Sequence, residues 1–269
     1  MEKDNLGLGN HTSMSFERFA PKITIRNLTK YHDQNDKRLH VINDLSLSIG
    51  KGEFLSIVGP SGCGKSTLLS IIAGLEKKYS GTVDMESVPK GRVSFVFQSP
   101  RLLPWHNVKN NVKFSLEATK VFPREKWEEK ASHVLSIVGL LGFEKAYPNQ
   151  LSGGMQTRVA IARALATEPE VLLMDEPFSS LDEITARSLR RELLSIWEKT
   201  GTTIVFVTHD INEAVFLADR ILLLTARPAR LHKEIAIDVK RPRTYTNPIL
   251  VKYEAELLAA LEEVLDTAV

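Results

Sequence analysis

Unbroken apolar runs alternate with stretches of helical periodicity along most of the chain. The segments 54–58 (FLSIV), 93–97 (VSFVF), 171–174 (VLLM), 202–208 (TTIVFVT) and 221–224 (ILLL) carry few polar positions, the pattern of strands covered on both faces. Between them apolar residues return at helical spacing. Leu68, Leu69, Ile71 and Ile72 follow the first run; Trp127, Ala131, Val134, Leu135 and Val138 share one helix face after Pro123, ended by Gly139 to Gly142. Ser152 is a suitable N-cap for a helix running toward Glu168, and another helix is expected over about 184–199. Strands separated by helices predict an α/β fold with a mainly parallel sheet.

The N-terminal part reads differently. Segments 23–31 and 41–49 alternate apolar with polar residues, are separated by the polar stretch DQNDKR, and with 82–85 predict an antiparallel β subdomain. From 99 to about 150 the strand signals vanish, which predicts an α-helical insertion. A strand over 234–238 and a helix carrying Leu257, Leu258, Leu261 and Val264 form a short C-terminal appendage. The expected division is a flexible N-terminal extension (1–20), a core (21–98 and 165–240), a helical insertion (99–164) and a helical appendage (241–269).

Between the first apolar run and its helix stands Gly59-Pro60-Ser61-Gly62-Cys63-Gly64-Lys65-Ser66, which satisfies G-x-x-x-x-G-K-[ST]. Gly59, Gly62 and Gly64 free the backbone to turn its N–H groups onto a phosphate at the positive end of the helix. Lys65 would supply a mobile cation to the β- and γ-phosphates, and Ser66 a hard oxygen ligand for Mg²⁺. A glycine-rich turn before an ordinary helix is the plainer reading, and the filling of every fixed position weighs against it. The loop implies a nucleoside triphosphate without saying what its hydrolysis drives.

Several core strands end in polar groups, where an open α/β sheet presents its ligand contacts. Gln98, at the end of the run 93–97, could ligate Mg²⁺ and position water, although taken by itself it reads as an ordinary loop glutamine. The run 171–174 ends in Asp175 and Glu176, whose side chains diverge along a strand, so that Asp175 can hold the hydration shell of Mg²⁺ while Glu176 polarises the attacking water. His209 follows the strand 202–208 and would face a γ-phosphate. Leu151-Ser152-Gly153-Gly154 opens a helix with two glycines, costly unless something approaches that backbone closely. A helix start with a bare backbone and a serine hydroxyl suits a phosphate. Tyr31 would either stack on a purine or pack. The loop Arg101 to Trp105 is either a partner surface or an anchor for the insertion.

Composition narrows the class. The chain has 269 residues, 43% hydrophobic and 25% charged, and its 35 basic and 33 acidic residues give no strong field for nucleic acid. No apolar run has transmembrane length and the N-terminus lacks a secretory signal, so a cytoplasmic protein is expected. Cys63, the one cysteine, excludes an internal disulfide; its alkylation is expected to inhibit and nucleotide to protect.

Together these residues resemble the nucleotide-binding subunits of ATP-binding cassette transporters, over about 23–238. GPSGCGKST, which includes Thr67, looks like the Walker A motif, VLLMDEP the Walker B motif, Gln98 the Q-loop, LSGG at 151–154 the signature motif, SSLD at 179–182 the D-loop, His209 the switch histidine and Tyr31 the adenine-stacking aromatic. The resemblance implies ATP and Mg²⁺ as ligands. It also implies a second cassette, so that each ATP lies between one chain's Walker A loop and the other's Ser152, Gly153 and Gly154. Integral membrane permease subunits and a separate solute-binding protein are the further partners implied, with the chain peripheral on the cytoplasmic side of the membrane. Met155 and Thr157 depart from the glutamines usual at their positions. SPRLLPWHNVKNNV and HDINEAVFLADRILLLTARPARL look like bacterial importers of nitrate, aliphatic sulfonates or taurine; pyrimidine-precursor importers and soluble cassette ATPases are the alternatives.

Overall fold

A computed structural model describes residues 20–34, 37–85 and 87–267. The N-terminal extension and the middle of the DQNDKR stretch lie outside the described residues, apart from residue 20 at the edge of the former. Strands β1 (Pro21–Gln34) and β2 (Lys37–Gly50) pair antiparallel. After β3 (Phe54–Val58) and helix α1 (Lys65–Ile72), β4 (Ser80–Asp84) joins the other edge of β1, completing a three-stranded sheet of order β2-β1-β4.

The second sheet takes β3, β5 (Val93–Val96), β6 (Val171–Asp175), β7 (Thr203–Val207), β8 (Arg220–Leu224) and β9 (Leu231–Ala236) in the order β5-β6-β7-β3-β8-β9. Every pair is parallel except β8 with β9. The carboxyl ends of β3, β5, β6 and β7 therefore share one edge, which fixes where loops 59–64, 97–98, 175–176 and 208–209 must meet. The run 93–97 is an edge strand, half-exposed except at Val96, rather than the covered strand its sequence suggests.

Helices α2 (Val108–Thr119), α3 (Trp127–Ile137) and α4 (Gly153–Leu165) fill the interval between β5 and β6. α5 (Glu183–Thr200) leads to β7, α6 (Ile211–Leu217) to β8, and α7 (Pro248–Asp266) closes the chain. Strand alternation sorts the buried runs onto two sides of the large sheet. Leu172, Met174, Ile204 and Phe206 join the cluster under α4 and α5. Val171, Leu173, Val205 and Val207 join the cluster shared with α1 and the antiparallel sheet. The appendage is packed, with Leu257, Ala260 and Val264 of α7 buried against Ala214, Val215, Ile221 and Leu223.

Phe206 is 0% exposed, with ring centroids of Phe178 and Phe54 at 5.8 and 6.0 Å. Phe206→Ala should cost about 3–5 kcal/mol, because the rigid sheet collapses poorly around the cavity. Denaturant unfolding measures it, and a loss under about 1 kcal/mol would show that the cluster repacks.

Candidate active site

The loop after β3 is built for close approach. Gly62 and Gly64 have φ of 72° and 123°, where a side chain is strained, and a Cβ on Gly64 would also crowd Val41 Cγ1 at 3.0 Å. Lys65 is buried and folds back, donating from Nζ to the carbonyls of Gly59 at 2.8 Å and Pro60 at 2.9 Å. Those neutral acceptors are weaker partners for an ammonium than phosphate oxygens would be.

Ser66, in the first turn of α1, donates its hydroxyl to Asp175 Oδ1 at 3.1 Å. Burial pushes the Asp175 carboxyl up; the Ser66 hydroxyl opposes this and the neighbouring Glu176 charge adds to it. A hydroxyl and a carboxylate so arranged are hard oxygen donors in a place that favours an added cation, so the residues present fit Mg²⁺.

Glu176 lies one residue past the end of β6, so its separation from Asp175 follows from the turn there rather than from the strand alternation expected. Its Oε2 lies 2.9 Å from His209 Nδ1, and its backbone sits at φ 43°, held there by its N–H donating to Val207 O at 2.9 Å. A non-glycine residue at positive φ is strained, and such strain clusters at functional sites. Gln98 completes the group, its Nε2 3.4 Å from both Glu176 Oε2 and Ser179 Oγ. Its hydrogen-bond partners thus lie on the Glu176 side rather than at the Ser66–Asp175 pair.

A model of the family described as "ABC transporter" matches residues 42–179. The chain belongs to the ABC transporter family. It is a cassette that binds and hydrolyses ATP. An uncharacterized ABC transporter ATP-binding protein of Methanocaldococcus jannaschii is 45% identical, covering 92% of this chain and 94% of its own. The aliphatic sulfonates import ATP-binding protein SsuB of Bacillus subtilis is 44% identical over 91% of this chain and 96% of its own. A second protein of that description from Pseudomonas syringae is 44% identical, covering 83% and 92%. Among solved structures, a dimeric post-hydrolysis cassette bound to ADP and Pi aligns with a TM-score of 0.72 at 33% identity, over 81% of this chain and 100% of that one.

Elsewhere in the cassette the sequence-derived residues vary in setting. Ser152 caps α4, its Oγ accepting the Met155 N–H at 3.3 Å, and Gly153 beside it is exposed. A Cβ on Gly154 would meet Thr185 Cγ2 at 2.8 Å, whereas one on Gly153 would have only Leu181 Cδ2, at 3.9 Å. The glycine at 154 is thus already required by packing of α4 on α5 within the chain; the one at 153 is not. The two departures turn inward. Met155 packs on the helical core and Thr157 is buried, while Gln156 Nε2 holds the carbonyls of Pro148 and Leu151.

Tyr31 stacks on its cross-strand partner His40 at 4.2 Å, with the Arg38 guanidinium 4.4 Å from its ring centroid. Its ring is engaged in cross-strand contacts, so the packing reading has direct support. Cys63 is buried, and burial raises its thiol above the ordinary range. The expected alkylation therefore requires the loop to open first. The Arg101 to Trp105 loop divides the two readings: Leu102 packs on the helical core, and Trp105 is 68% exposed.

Sequence reasoning missed Arg227, whose Nε and Nη2 donate to Gly62 O at 3.1 and 2.7 Å, holding the tip of the phosphate loop. Its signal was topological. It stands just beyond the carboxyl end of β8, the strand beside β3, where ligand-facing groups collect.

Proposed function

We propose that the chain energises import of a small anionic solute of the aliphatic sulfonate, nitrate or taurine type, one of two cassettes hydrolysing ATP beneath a pair of membrane permeases. The observation that carries the reading is the placement of Glu176 and His209, 2.9 Å apart, at the same sheet edge as the Lys65 loop and the Ser66–Asp175 pair. Gly59 to Gly64, with Pro60, Ser61 and Cys63 between the glycines, would wrap the phosphates, and Lys65 and Thr67 would complete the cradle. Mg²⁺, held by Ser66 and Asp175 and joined by Gln98 once its amide leaves Glu176 and Ser179, would neutralise charge on the phosphate oxygens.

Glu176 takes a proton from water as its oxygen bonds to the γ-phosphorus and the bond to the β-bridging oxygen breaks, leaving ADP and phosphate. His209 orients Glu176 and faces the γ-phosphate. Ser152, Gly153 and Gly154 serve a nucleotide on the partner's loop, their helix start supplying N–H donors. Tyr31 would reach adenine once its contacts with His40 and Arg38 rearrange.

The permeases would seat on the insertion, where Trp105 is exposed and the half-exposed Phe114 lines, with Asn110, Lys113, Glu117 and Trp127, a cavity of about 400 Å³. Among the described residues no helix is long and apolar enough to cross a membrane, so attachment would come through this surface on the cytoplasmic face. A separate solute-binding protein would choose the cargo. The reading for a small anion draws on the relatives named above for aliphatic sulfonate import. Deleting the gene should abolish growth on an alkanesulfonate, nitrate or taurine as sole sulfur or nitrogen source, with the tagged chain copurifying with integral membrane proteins. Unimpaired growth on all of them would remove the solute class, and copurification with ribosomes would favour a soluble cassette ATPase.

A further inference from the structure

Arg190, in the middle of α5, is only 2% exposed, yet its guanidinium is held by groups from several elements. Its Nε donates to Glu213 Oε1 at 3.1 Å, Nη2 to Glu183 Oε2 at 3.1 Å and Nη1 to the Tyr245 hydroxyl at 3.1 Å. The Asp210 carboxylate stands 3.9 Å away. Glu213, buried on α6, receives the Thr208 hydroxyl on its other oxygen at 2.6 Å, and Thr208 Oγ1 in turn accepts the Asp210 N–H at 3.0 Å. Of the two neighbours of His209, Thr208 is thereby tied directly to the Glu213 carboxylate and Asp210 is tied to it through Thr208, and that carboxylate is tied to Arg190. On its other side Arg190 grips Glu183, which directly follows Asp182 of the SSLD loop; Asp182 caps α5 by accepting the Thr185 N–H at 3.0 Å.

The His209 side chain is 61% exposed, so little packs against its ring and its aim at Glu176 depends on where the backbone of 208–210 is fixed. A buried ion pair adds little stability over an apolar pair of similar volume, because desolvation offsets most of the attraction. What it adds is direction. Each hydrogen bond fixes an orientation that apolar contact would leave loose.

We propose that Arg190 and Glu213 are positioning residues for His209, holding the 208–210 loop in register with the 179–183 segment so that the histidine stays on Glu176. The proposal rests on the reading of Glu176 and His209 above. A purely structural role, joining α5, α6 and the Tyr245 segment, predicts that activity follows stability. A positioning role separates them.

The test uses the full chain, with ATP hydrolysis and melting temperature measured on each variant. The double variant Arg190→Met with Glu213→Leu replaces the buried pair by apolar groups and should melt near the wild type. Its kcat should nevertheless fall about 10- to 100-fold while KM for ATP stays within about twofold, since the phosphate loop is untouched. Thr208→Val should reproduce the kcat loss, and Thr208→Ser, which keeps the hydroxyl, should restore it to within about twofold. Wild-type kcat in a folded double variant, or in Thr208→Val, overturns the proposal; the Thr208 pair decides alone should the double variant not fold. If His209→Ala itself hydrolyses at the wild-type rate, the reading of His209 falls first and this proposal with it.

Discussion

Glu176→Gln should lower ATP turnover by about 10²–10⁴ while leaving nucleotide binding intact, because the amide keeps the shape and polarity of the carboxylate but cannot accept a proton from water. The surroundings make this a sharp experiment. The backbone at 176 is held at φ 43° by a bond to Val207 O that involves no side chain, so the substitution leaves the strained turn in place. His209 at 2.9 Å retains a partner in the Gln oxygen. The proposed phosphate cradle is the 59–64 loop with Lys65 and Arg227, whose hydrogen bonds run to the carbonyls of Gly59, Pro60 and Gly62 and do not involve Glu176. Nucleotide titration and steady-state hydrolysis on the same preparation measure the two quantities. Hydrolysis at the wild-type rate would remove Glu176 as the base.

Gly153→Asp should separate folding from chemistry in the opposite direction. Gly153 is the first residue of α4, its Cβ side is open, and an aspartate there replaces a poor helix former and places a negative charge at the positive end of the helix. Each change favours the helix, by about 0.3–1 kcal/mol, so the melting temperature should hold or rise. The same charge would face the phosphate of the partner's nucleotide, and hydrolysis should fall about 10²-fold or more. Gly154 is the less informative site, since the Thr185 methyl stands 2.8 Å from where its Cβ would be and substitution disturbs packing as well. Mixing Gly153→Asp chains with Lys65→Ala chains should recover part of the activity, because a mixed pair contains one site with both halves intact. A mixture as inactive as its components would argue for sites formed within one chain.

The core strands were legible because parallel strands covered on both faces leave unbroken apolar runs, and the phosphate loop because its chemistry fixes both residue types and spacing. Less local features were not. α2 buries Asn111 among its few inward positions, and that amide accepts the Leu103 N–H and donates to the carbonyls of Leu103 and His106, a role no periodicity reports. α6 is short, and Glu213 among its buried residues hides its apolar face. The edge position of β5 depends on which strand lies beside it, information the run 93–97 does not contain. For Tyr31 the ring was visible but its cross-strand partner His40 was not, since register is set by the bulged pairing of β1 with β2. Arg190 and Glu213 lie 23 positions apart and meet only because α5 and α6 pack together.

Cleavage of ATP by serial dilutions of the purified chain, with sedimentation run alongside to count the associated copies, probes the paired-site claim most directly. Turnover per chain should fall toward zero as pairs dissociate and return on concentration. Undiminished turnover in a population that sediments wholly as single chains would contradict it.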